Sequence, residues 1–507
     1  MKQLISRTTP VQVGLSSAAI RDFIVDLEAS GSELHGLMIA RYGKVAAECW
    51  WAPYKADMTH TCHSLGKTYT ASAVGIACTE GLLSVKEKIV DIFEEDIARL
   101  GVIPDENMQQ LTVHDVLSMG NGMKTMPEID ENWVDNYLSH KVDYRPGTHF
   151  LYNTAGSCML AEIVRRRVGG DVYDYVKPRL FDKLGIEEGD LDWLKFRNGC
   201  VAELGVLSCT EANLRLAMLY LQGGVWQGER ILSEDWVKAA TSLQIASTED
   251  KGIPECKHGY GYQMWMCEPE NVYRFDGGHG QYCIILPKDE LIIAISEGAS
   301  YPSQVQSVLE IVYKHFCYEG RGGMFTCEDC EEEEAKLQQM LRTRKLKLLP
   351  VLAEADKLDI FEGTYEVKEG DPNVWYEAHP DGKKDNAFSQ FYLQDRDYSA
   401  RKISIHKCEE GCRVLYNDHE EFVAYGDGHY HVISNTINPI PQMHDCASNI
   451  WMVDNDTLVF EVRWMNTCFR IRTEMKLHGT ELQIKTIRYT LQDSWPEQIS
   501  YARAIRV

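Results

Sequence analysis

The fold of this chain is decided by one short stretch near its start, His63-Ser64-Leu65-Gly66-Lys67-Thr68-Tyr69-Thr70-Ala71. It opens a run of small and apolar residues that continues to Gly81, and such a run indicates a buried helix. Residues three apart share one face of a helix, so the Ser64 hydroxyl and the Lys67 amine are expected to point into the same space. A serine becomes an effective nucleophile when a neighbouring base takes its proton, which a lysine does once packing lowers its pKa. Read alone, the same tetrad also fits a helix N-cap serine followed by a solvated lysine.

Helix and strand patterns on both sides of this stretch predict one antiparallel sheet. The predicted elements are a helix over residues 16–28, strands over 36–40, 44–50, 282–286 and 291–295, and an amphipathic helix over 304–316. The four strands form two hairpins that lie far apart in the sequence. The two terminal helices are expected to flank the sheet, with a helical region that begins at Ser64 inserted between the hairpins. The predicted class of this part is α+β.

The character of the chain changes after about residue 318. Residues 327–349 form a charged stretch that is acidic at its start and basic at its end, as expected for a solvated connecting helix. Beyond it, alternating apolar and polar residues recur at short spacing, for example over 402–406, 457–462 and 482–487. This pattern predicts an all-β barrel or sandwich. The predicted organisation is therefore a mixed domain over 1–320, a helical linker over 321–350 and a β-barrel over 351–507.

Composition excludes several classes of partner. The 507 residues carry a formal net charge of -24 and 44% hydrophobic residues, which is typical of a globular protein. A chain this acidic lacks the clustered Lys and Arg that nucleic acids and anionic lipids attract, so neither is an expected partner. Residues 1–7 show no apolar leader, and no stretch approaches eighteen apolar residues. We expect a cytoplasmic protein.

The sixteen cysteines are scattered along the chain and favour free thiols in a reducing compartment. An alternative is a zinc site in which Cys327 and Cys330 join Cys408 and Cys412, but the second pair has the wrong spacing for such a site. No metal and no organic cofactor is predicted.

Two further stretches follow residues 63–71 in the chain. They are Leu111-Thr112-Val113-His114-Asp115-Val116-Leu117-Ser118-Met119 and Arg145-Pro146-Gly147-Thr148-His149-Phe150-Leu151-Tyr152-Asn153-Thr154. Together the three motifs resemble those of the serine β-lactamase and penicillin-binding-protein superfamily, and most closely its esterase and amidase branch related to class C β-lactamases. The match continues through residues 205–210, 231–233, 259–265 and 277–282. The resemblance implies a five-stranded antiparallel sheet flanked by helices, with a helical subdomain, over nearly all of residues 15–318.

The resemblance also assigns roles to individual residues. Ser64 matches the nucleophile that becomes acylated, and Lys67 matches the lysine that helps to deprotonate it. Tyr152 matches the tyrosine that passes the proton to the leaving group and later activates water. A phenol, whose ordinary pKa is about 10, becomes a usable base only beside a cation, so this role requires Lys67 nearby. Without Ser64 and Lys67, Tyr152 would read as a core tyrosine.

Two departures from the family pattern concern substrate binding. The family's tyrosine motif often has Asn two residues after the tyrosine; here Thr154 holds that place and Asn153 comes between, so both are candidates for substrate contact. The third motif falls at Phe275-Asp276-Gly277 and lacks the lysine and threonine that hold a β-lactam carboxylate. What remains is a glycine-rich strand edge, where the backbone N–H of Gly278, together with that of Ser64, is expected to form the oxyanion hole.

His279 follows directly after this strand edge and has two interpretations. It either contacts the substrate or assists proton transfer, or it is a polar residue at the rim of a hairpin.

The C-terminal barrel is similar to the lipocalin-like domains that follow the catalytic domain in some members of this family. Such a domain either covers the active-site mouth with a loop, for which residues 434–445 are the candidate, or serves only as a packing or dimerising module.

Together these features predict a serine hydrolase that cleaves a small ester or amide through an acyl-enzyme on Ser64. The alternatives are a peptidase or amidase specific for D-amino acids, an acyltransferase on the same site, and a non-catalytic ligand-binding protein that retains the fold. The expected partners are small esters, amides or short peptides, with a homo-oligomer possible.

Overall fold

The computed structural model describes residues 5–130, 132–195, 201–247, 253–300, 302–318, 323–326, 328, 330–374, 399–436, 440–489 and 498–507. The chain divides into two compact units. The first comprises Met1–Trp51 and Lys55–Arg344, and the second comprises Ala52–Tyr54 and Lys345–Val507. No helix among the described residues has the length and apolar character needed to cross a membrane.

All α-helices among the described residues belong to the first unit. They are α1 Ser17–Ala29, α2 Gly66–Thr79, α3 Ile89–Ile92, α4 Glu94–Leu100, α5 Val113–Leu117, α6 Trp133–Ser139, α7 Thr154–Val168, α8 Val172–Val176, α9 Asp182–Leu184, α10 Thr210–Leu221, α11 Glu234–Ala240, α12 Ser303–Phe316 and α13 Glu331–Thr343. Its strands are β1 Glu33–Arg41, β2 Lys44–Trp50, β3 His60–Thr61, β4 Leu191–Lys195, β5 Val201–Ser208, β6 Val225–Trp226, β7 Glu229–Arg230, β8 Trp265–Met266, β9 Tyr273–Gly277, β10 Gln281–Leu286 and β11 Leu291–Gly298.

The central sheet of the first unit is antiparallel, in the order β2-β1-β11-β10-β9-β8. All four strands predicted from the sequence are present, and β1 joins the two hairpins by pairing with β11, with Leu37 opposite Ile295. The sheet has six strands where the resemblance implied five. The additional strand, β8, is only two residues long and pairs with the start of β9. A segment that short carries no readable periodicity, which is why the sequence did not predict it.

Helices cover both faces of this sheet. The apolar faces of α1 and α12 meet where the rings of Phe23 and Phe316 pack edge to face, 5.0 Å apart, and α10 contacts β1, β10 and β11. The Ser16 hydroxyl accepts from the Ala19 N–H and caps α1. The charged helix α13 packs against α1, where the Ser17 hydroxyl donates to Glu334 at 2.7 Å.

The second unit is built from strands alone apart from short 3-10 turns, within the described residues. The strands are β12 Gly363–Glu369, β13 Lys402–Lys407, β14 Gly411–Tyr416, β15 Glu420–Tyr425, β16 Val432–Ser434, β17 Asp445–Met452, β18 Thr457–Trp464, β19 Arg470–His478, β20 Glu481–Arg488 and β21 Gln498–Arg506. Nine of them pair side by side in the order β15-β14-β13-β12-β21-β20-β19-β18-β17. The first and last strands of this series, β15 and β17, then pair in parallel, with Tyr425 opposite Asn449, and this pair closes the barrel. Alternate residues fill its interior, among them Phe422, Phe460 and Trp464.

Helix α2 crosses the core of the first unit, and all of its residues from Gly66 to Ala77 are buried. The small side chains in this helix allow neighbouring elements to approach closely. A Cβ atom placed on Gly75 would lie 2.5 Å from the indole of Trp236, on α11. The helix therefore needs glycine at this position, although glycine is a poor helix former.

We expect Gly75→Ala to lower the free energy of unfolding by roughly 1–3 kcal/mol, the range typical of an overpacked core, even though alanine favours the helix. Urea denaturation measures the change. Gly170→Ala is the matched control, because no heavy atom of the described residues lies within 4 Å of a Cβ there. Equal effects of the two substitutions would contradict the packing argument.

Candidate active site

Ser64 lies in a tight turn immediately before α2. The turn is a single 3-10 segment, His63–Leu65, which runs directly into the helix. His63 adopts a positive φ of 48°, an uncommon conformation for a residue other than glycine. Strand β3 fixes the start of this turn, because Thr61 pairs with Leu207 of β5.

The structure brings Lys67 to Ser64 as the spacing predicts. The Lys67 Nζ donates to the Ser64 Oγ at 3.2 Å, and the lysine side chain is fully buried. The alternative of a solvated lysine behind an N-cap serine is excluded by this burial. A buried amine within hydrogen-bond distance of a hydroxyl is the arrangement that a proton transfer between them requires.

Tyr152 lies just before α7 and joins this pair. Its ring centroid is 5.2 Å from the Lys67 Nζ, and the ring stacks on Trp265 at 5.7 Å with an angle of 10° between planes. Burial raises the pKa of Tyr152, while the charge of Lys67 and a hydrogen bond with Ser64 oppose that shift. The phenol is thus positioned to exchange a proton with either neighbour.

The end of β9 runs against the turn that carries Ser64. A Cβ atom on Gly277 would lie 2.1 Å from the Cys62 carbonyl oxygen and 3.1 Å from the Leu65 nitrogen, so only glycine fits there. At Gly278 the same atom would lie 3.8 Å from His63, an ordinary contact distance. Gly278 follows directly after this close approach and lines the same cavity as Ser64.

His279 is buried and lines the same cavity as Ser64. It has a positive φ of 62°, its Nδ1 lies 3.2 Å from the Ala299 carbonyl oxygen, and its ring meets that of His63 edge to face at 5.4 Å. Burial lowers the pKa of His279 to about 4, so the imidazole is neutral at neutral pH. It therefore contributes shape and hydrogen bonding to the cavity wall rather than charge.

Asn153 and Thr154 are not brought to the cavity. The Asn153 side chain is buried and caps α7, where its Oδ1 accepts from the Gly156 N–H at 3.0 Å and its Nδ2 faces the sulfur of Met123. Thr154 is the first residue of α7. An asparagine used as a helix cap has its carbonyl oxygen committed to the backbone, so the substrate contacts expected of these two residues are not supported by their positions.

The cavity at Ser64 has a volume of about 120 Å³. Of the predicted residues, it is lined by Ser64, Tyr152, Gly278 and His279. Trp265, Asp276 and Gly277 also line it; they lie in segments that matched the family motifs but were given no role. The lining residues that sequence reasoning missed are Ile253, Cys256, Arg274 and Val305. Arg274 and Asp276 had a usable signal, since residues two apart on the strand that ends at Gly277 share one face.

Arg274 and Asp276 form an ion pair in the cavity wall. The Arg274 Nε donates to the Asp276 Oδ2 at 2.6 Å. Burial raises the pKa of Asp276, and the neighbouring guanidinium opposes that shift.

Comparison with known proteins identifies the family of this chain. A family model described as Beta-lactamase matches residues 26–305, more than half of the chain. The chain belongs to the Beta-lactamase family. The superfamily inferred from the three motifs is thereby confirmed, and the matched range contains Ser64, Lys67, Tyr152 and the sheet that holds them.

Individual relatives of this Beta-lactamase family member are distant. The 6-aminohexanoate-dimer hydrolase of Paenarthrobacter ureafaciens is 24% identical over an alignment of 320 residues that covers 57% of this chain and 79% of that protein. A putative 6-aminohexanoate-dimer hydrolase from Bacillus anthracis has a solved structure with a TM-score of 0.47 and 18% identity, covering 56% of this chain and 78% of that one. The structure of the octameric penicillin-binding protein homologue from Pyrococcus abyssi matches with a TM-score of 0.44 and 13% identity. The match covers 96% of this chain and 99% of that one.

The alternative of a zinc site gains no support. No group of three or more His, Cys, Asp or Glu side chains among the described residues is arranged to hold a metal ion. Cys327 lies outside the described residues, Cys330 is exposed and Cys412 is buried.

A second carboxyl group, Glu297 on β11, lies behind the loop that carries His279. It is fully buried, its Oε2 accepts from the Ser32 hydroxyl at 2.6 Å, and its Oε1 has no hydrogen-bond partner among the described residues. A Cβ on Gly280 would lie 2.0 Å from this Oε1. Burial raises the pKa of Glu297 to about 8, so the carboxyl is protonated at neutral pH.

Because this pKa is raised on folding, the protonated form of Glu297 stabilises the native state at low pH. That stabilisation is complete below the ordinary glutamate pKa of about 4.5 and is lost as pH rises through about 8. Over this window it amounts to several kcal/mol at most, since one pKa unit corresponds to about 1.4 kcal/mol. We expect Glu297→Gln to flatten the decline in stability between pH 5 and 9.

Urea denaturation of both proteins at a series of pH values measures this difference. Glu128→Gln, which removes an exposed carboxylate of the same unit, is the control and should leave the slope unchanged. Parallel pH profiles of wild type and Glu297→Gln would contradict the assignment.

Proposed function

We propose that this protein is a serine hydrolase that cleaves a small ester or amide through an acyl-enzyme on Ser64. The observation that carries the proposal is the 3.2 Å contact between the Nζ of the fully buried Lys67 and the Oγ of Ser64, which lines a cavity. Membership of the Beta-lactamase family and a relative named as a hydrolase support the same reaction class.

The proposed first half-reaction is acylation. The Ser64 Oγ attacks the carbonyl carbon of the substrate while its proton passes to Lys67 or Tyr152. The negative charge that develops on the carbonyl oxygen is stabilised by the backbone N–H groups of Ser64 and Gly278. When the bond to the leaving group breaks, Tyr152 supplies the proton that the departing alcohol or amine needs.

The second half-reaction reverses these roles. Tyr152, next to Lys67, takes a proton from a water molecule, and the resulting hydroxide equivalent attacks the acyl carbon. Collapse of the second tetrahedral intermediate releases the acid and returns the proton to Ser64. An acceptor other than water would make the same site an acyltransferase, and amide substrates with a D-amino acid would make it a peptidase or amidase.

The covalent intermediate is tested by mass spectrometry of the intact protein. After brief exposure to activated acyl esters, D-aminoacyl amides and a β-lactam, we expect a mass increment that maps to Ser64 and is absent in Ser64→Ala. Ser72→Ala is the matched control, since Ser72 lies on α2 with its hydroxyl bonded to the Thr68 carbonyl and should leave labelling intact. Absence of any adduct and any turnover would favour the non-catalytic ligand-binding protein.

The role of Tyr152 is tested by a pair of tyrosines that both pack on Trp265. Tyr152→Phe should lower kcat by roughly 10²- to 10⁴-fold, because it removes the proton carrier. Tyr260→Phe, whose ring lies 4.9 Å from Trp265, should change kcat only a few-fold. Steady-state kinetics on the best ester from the labelling panel decides the matter, and equal losses in the two variants would contradict the proposed role.

A further inference from the structure

The cavity at Ser64 offers one charged group to a bound molecule. Two lining residues carry charge, Arg274 and Asp276, and they differ in exposure: the Arg274 side chain is 0% exposed and that of Asp276 is 19% exposed. Lys67 is also fully buried. A substrate that enters the cavity therefore meets the carboxylate of Asp276 and not the guanidinium behind it.

The positive charge of Arg274 is already balanced from its other side. Its Nη1 lies 3.4 Å from the Glu255 Oε1, which also accepts from the Tyr313 hydroxyl at 2.6 Å and from the Glu268 N–H at 2.9 Å. A carboxylate is the acceptor suited to three such donors. Two carboxylates around one guanidinium leave a net negative charge, and the accessible part of that charge is on Asp276.

Apart from Arg274, the residues that line the cavity carry no positive charge that would neutralise Asp276. The lining residues beside it are mostly apolar, including Ile253, Trp265 and Val305, and the imidazole of His279 is neutral at neutral pH. In such surroundings, an ion pair or charge-assisted hydrogen bond is stronger than in water. An anionic substrate would instead meet the carboxylate of Asp276, which repels it.

From this arrangement we propose that Asp276 is a specificity-determining residue that binds an ammonium group carried by the substrate close to its scissile carbonyl. Asp276 and Ser64 line the same cavity, of about 120 Å³, so an ammonium group at Asp276 lies within a short chain of a carbonyl at Ser64. The substrate class is therefore short amino-substituted esters or amides. This inference rests on the proposed function, because it assumes that Ser64 is the reacting group.

The experiment compares substrates that differ only in charge. On the acyl side, ethyl β-alaninate carries an ammonium group where ethyl butanoate has a methyl and monoethyl succinate has a carboxylate. On the leaving-group side, 2-(dimethylamino)ethyl butanoate is compared with 3-methylbutyl butanoate. In at least one of these two pairs, we expect the kcat/KM of the cationic ester to exceed that of its neutral isostere by roughly ten- to hundredfold. This is the range for a hydrogen bond between charged groups.

Asp276→Asn keeps the size of the side chain and should bring this ratio close to one. Glu255→Gln is the matched control: it also removes a carboxylate from Arg274, but behind the cavity, and should preserve the ratio. The proposal would be overturned if the wild type showed kcat/KM ratios near one or preferred monoethyl succinate. It would also be overturned if Asp276→Asn kept the ratio of the wild type, or if Glu255→Gln lowered the ratio as much as Asp276→Asn does.

Binding without turnover separates this proposal from the proposed function. Calorimetric titration of Ser64→Ala with the same esters should show tighter binding of the cationic ester, and the difference should disappear in the double variant with Asp276→Asn. If the wild type forms no acyl-enzyme, the proposed function fails while the titration still decides the role of Asp276. Equal binding of cationic and neutral esters to Ser64→Ala would overturn the ammonium site alone.

Discussion

The site depends on the contact between Gly277 and the turn that carries Ser64. The strand end comes so close to the Cys62 carbonyl that no side chain fits between them. This approach fixes the distance between two backbone segments that belong to different parts of the chain, the start of the helical insertion and the edge of the sheet. Ser64, Gly278 and the charged pair on β9 all line the cavity next to this contact.

A second constraint is the burial of α2, which explains why Lys67 is kept away from water. A lysine is rarely buried in full, and here the small residues of the helix allow the surrounding elements to close over it. The buried amine keeps a hydrogen bond to the Ser64 hydroxyl, which partly offsets the cost of its desolvation. The same helix thus belongs to the packed core of the first unit and holds Lys67 beside Ser64.

The features that the sequence predicted correctly are those whose patterns lie within a short stretch of the chain. The spacing of Ser64 and Lys67 and the alternation in the two hairpins are local patterns, and both led to the observed arrangement. The cap formed by Asn153 was also a local signal, an asparagine at the start of a helical run, but the family motif suggested a substrate contact instead. The shared strand face of Arg274 and Asp276 was a local signal too, but the setting of the pair depends on Glu255 and Tyr313, which come from other parts of the chain and could not be placed.

The pairing of β1 with β11 has a consequence for the order in which the first unit folds. Leu37 and Ile295 are neighbours in the sheet, yet the whole helical insertion separates them along the chain. Contacts of such long range require a large loop to close, which makes folding slow relative to a protein of local contacts. During synthesis the hairpin of β1 and β2 leaves the ribosome long before its central partner exists. Until β11 has been synthesised, the edge of β1 that pairs with it therefore has no strand partner.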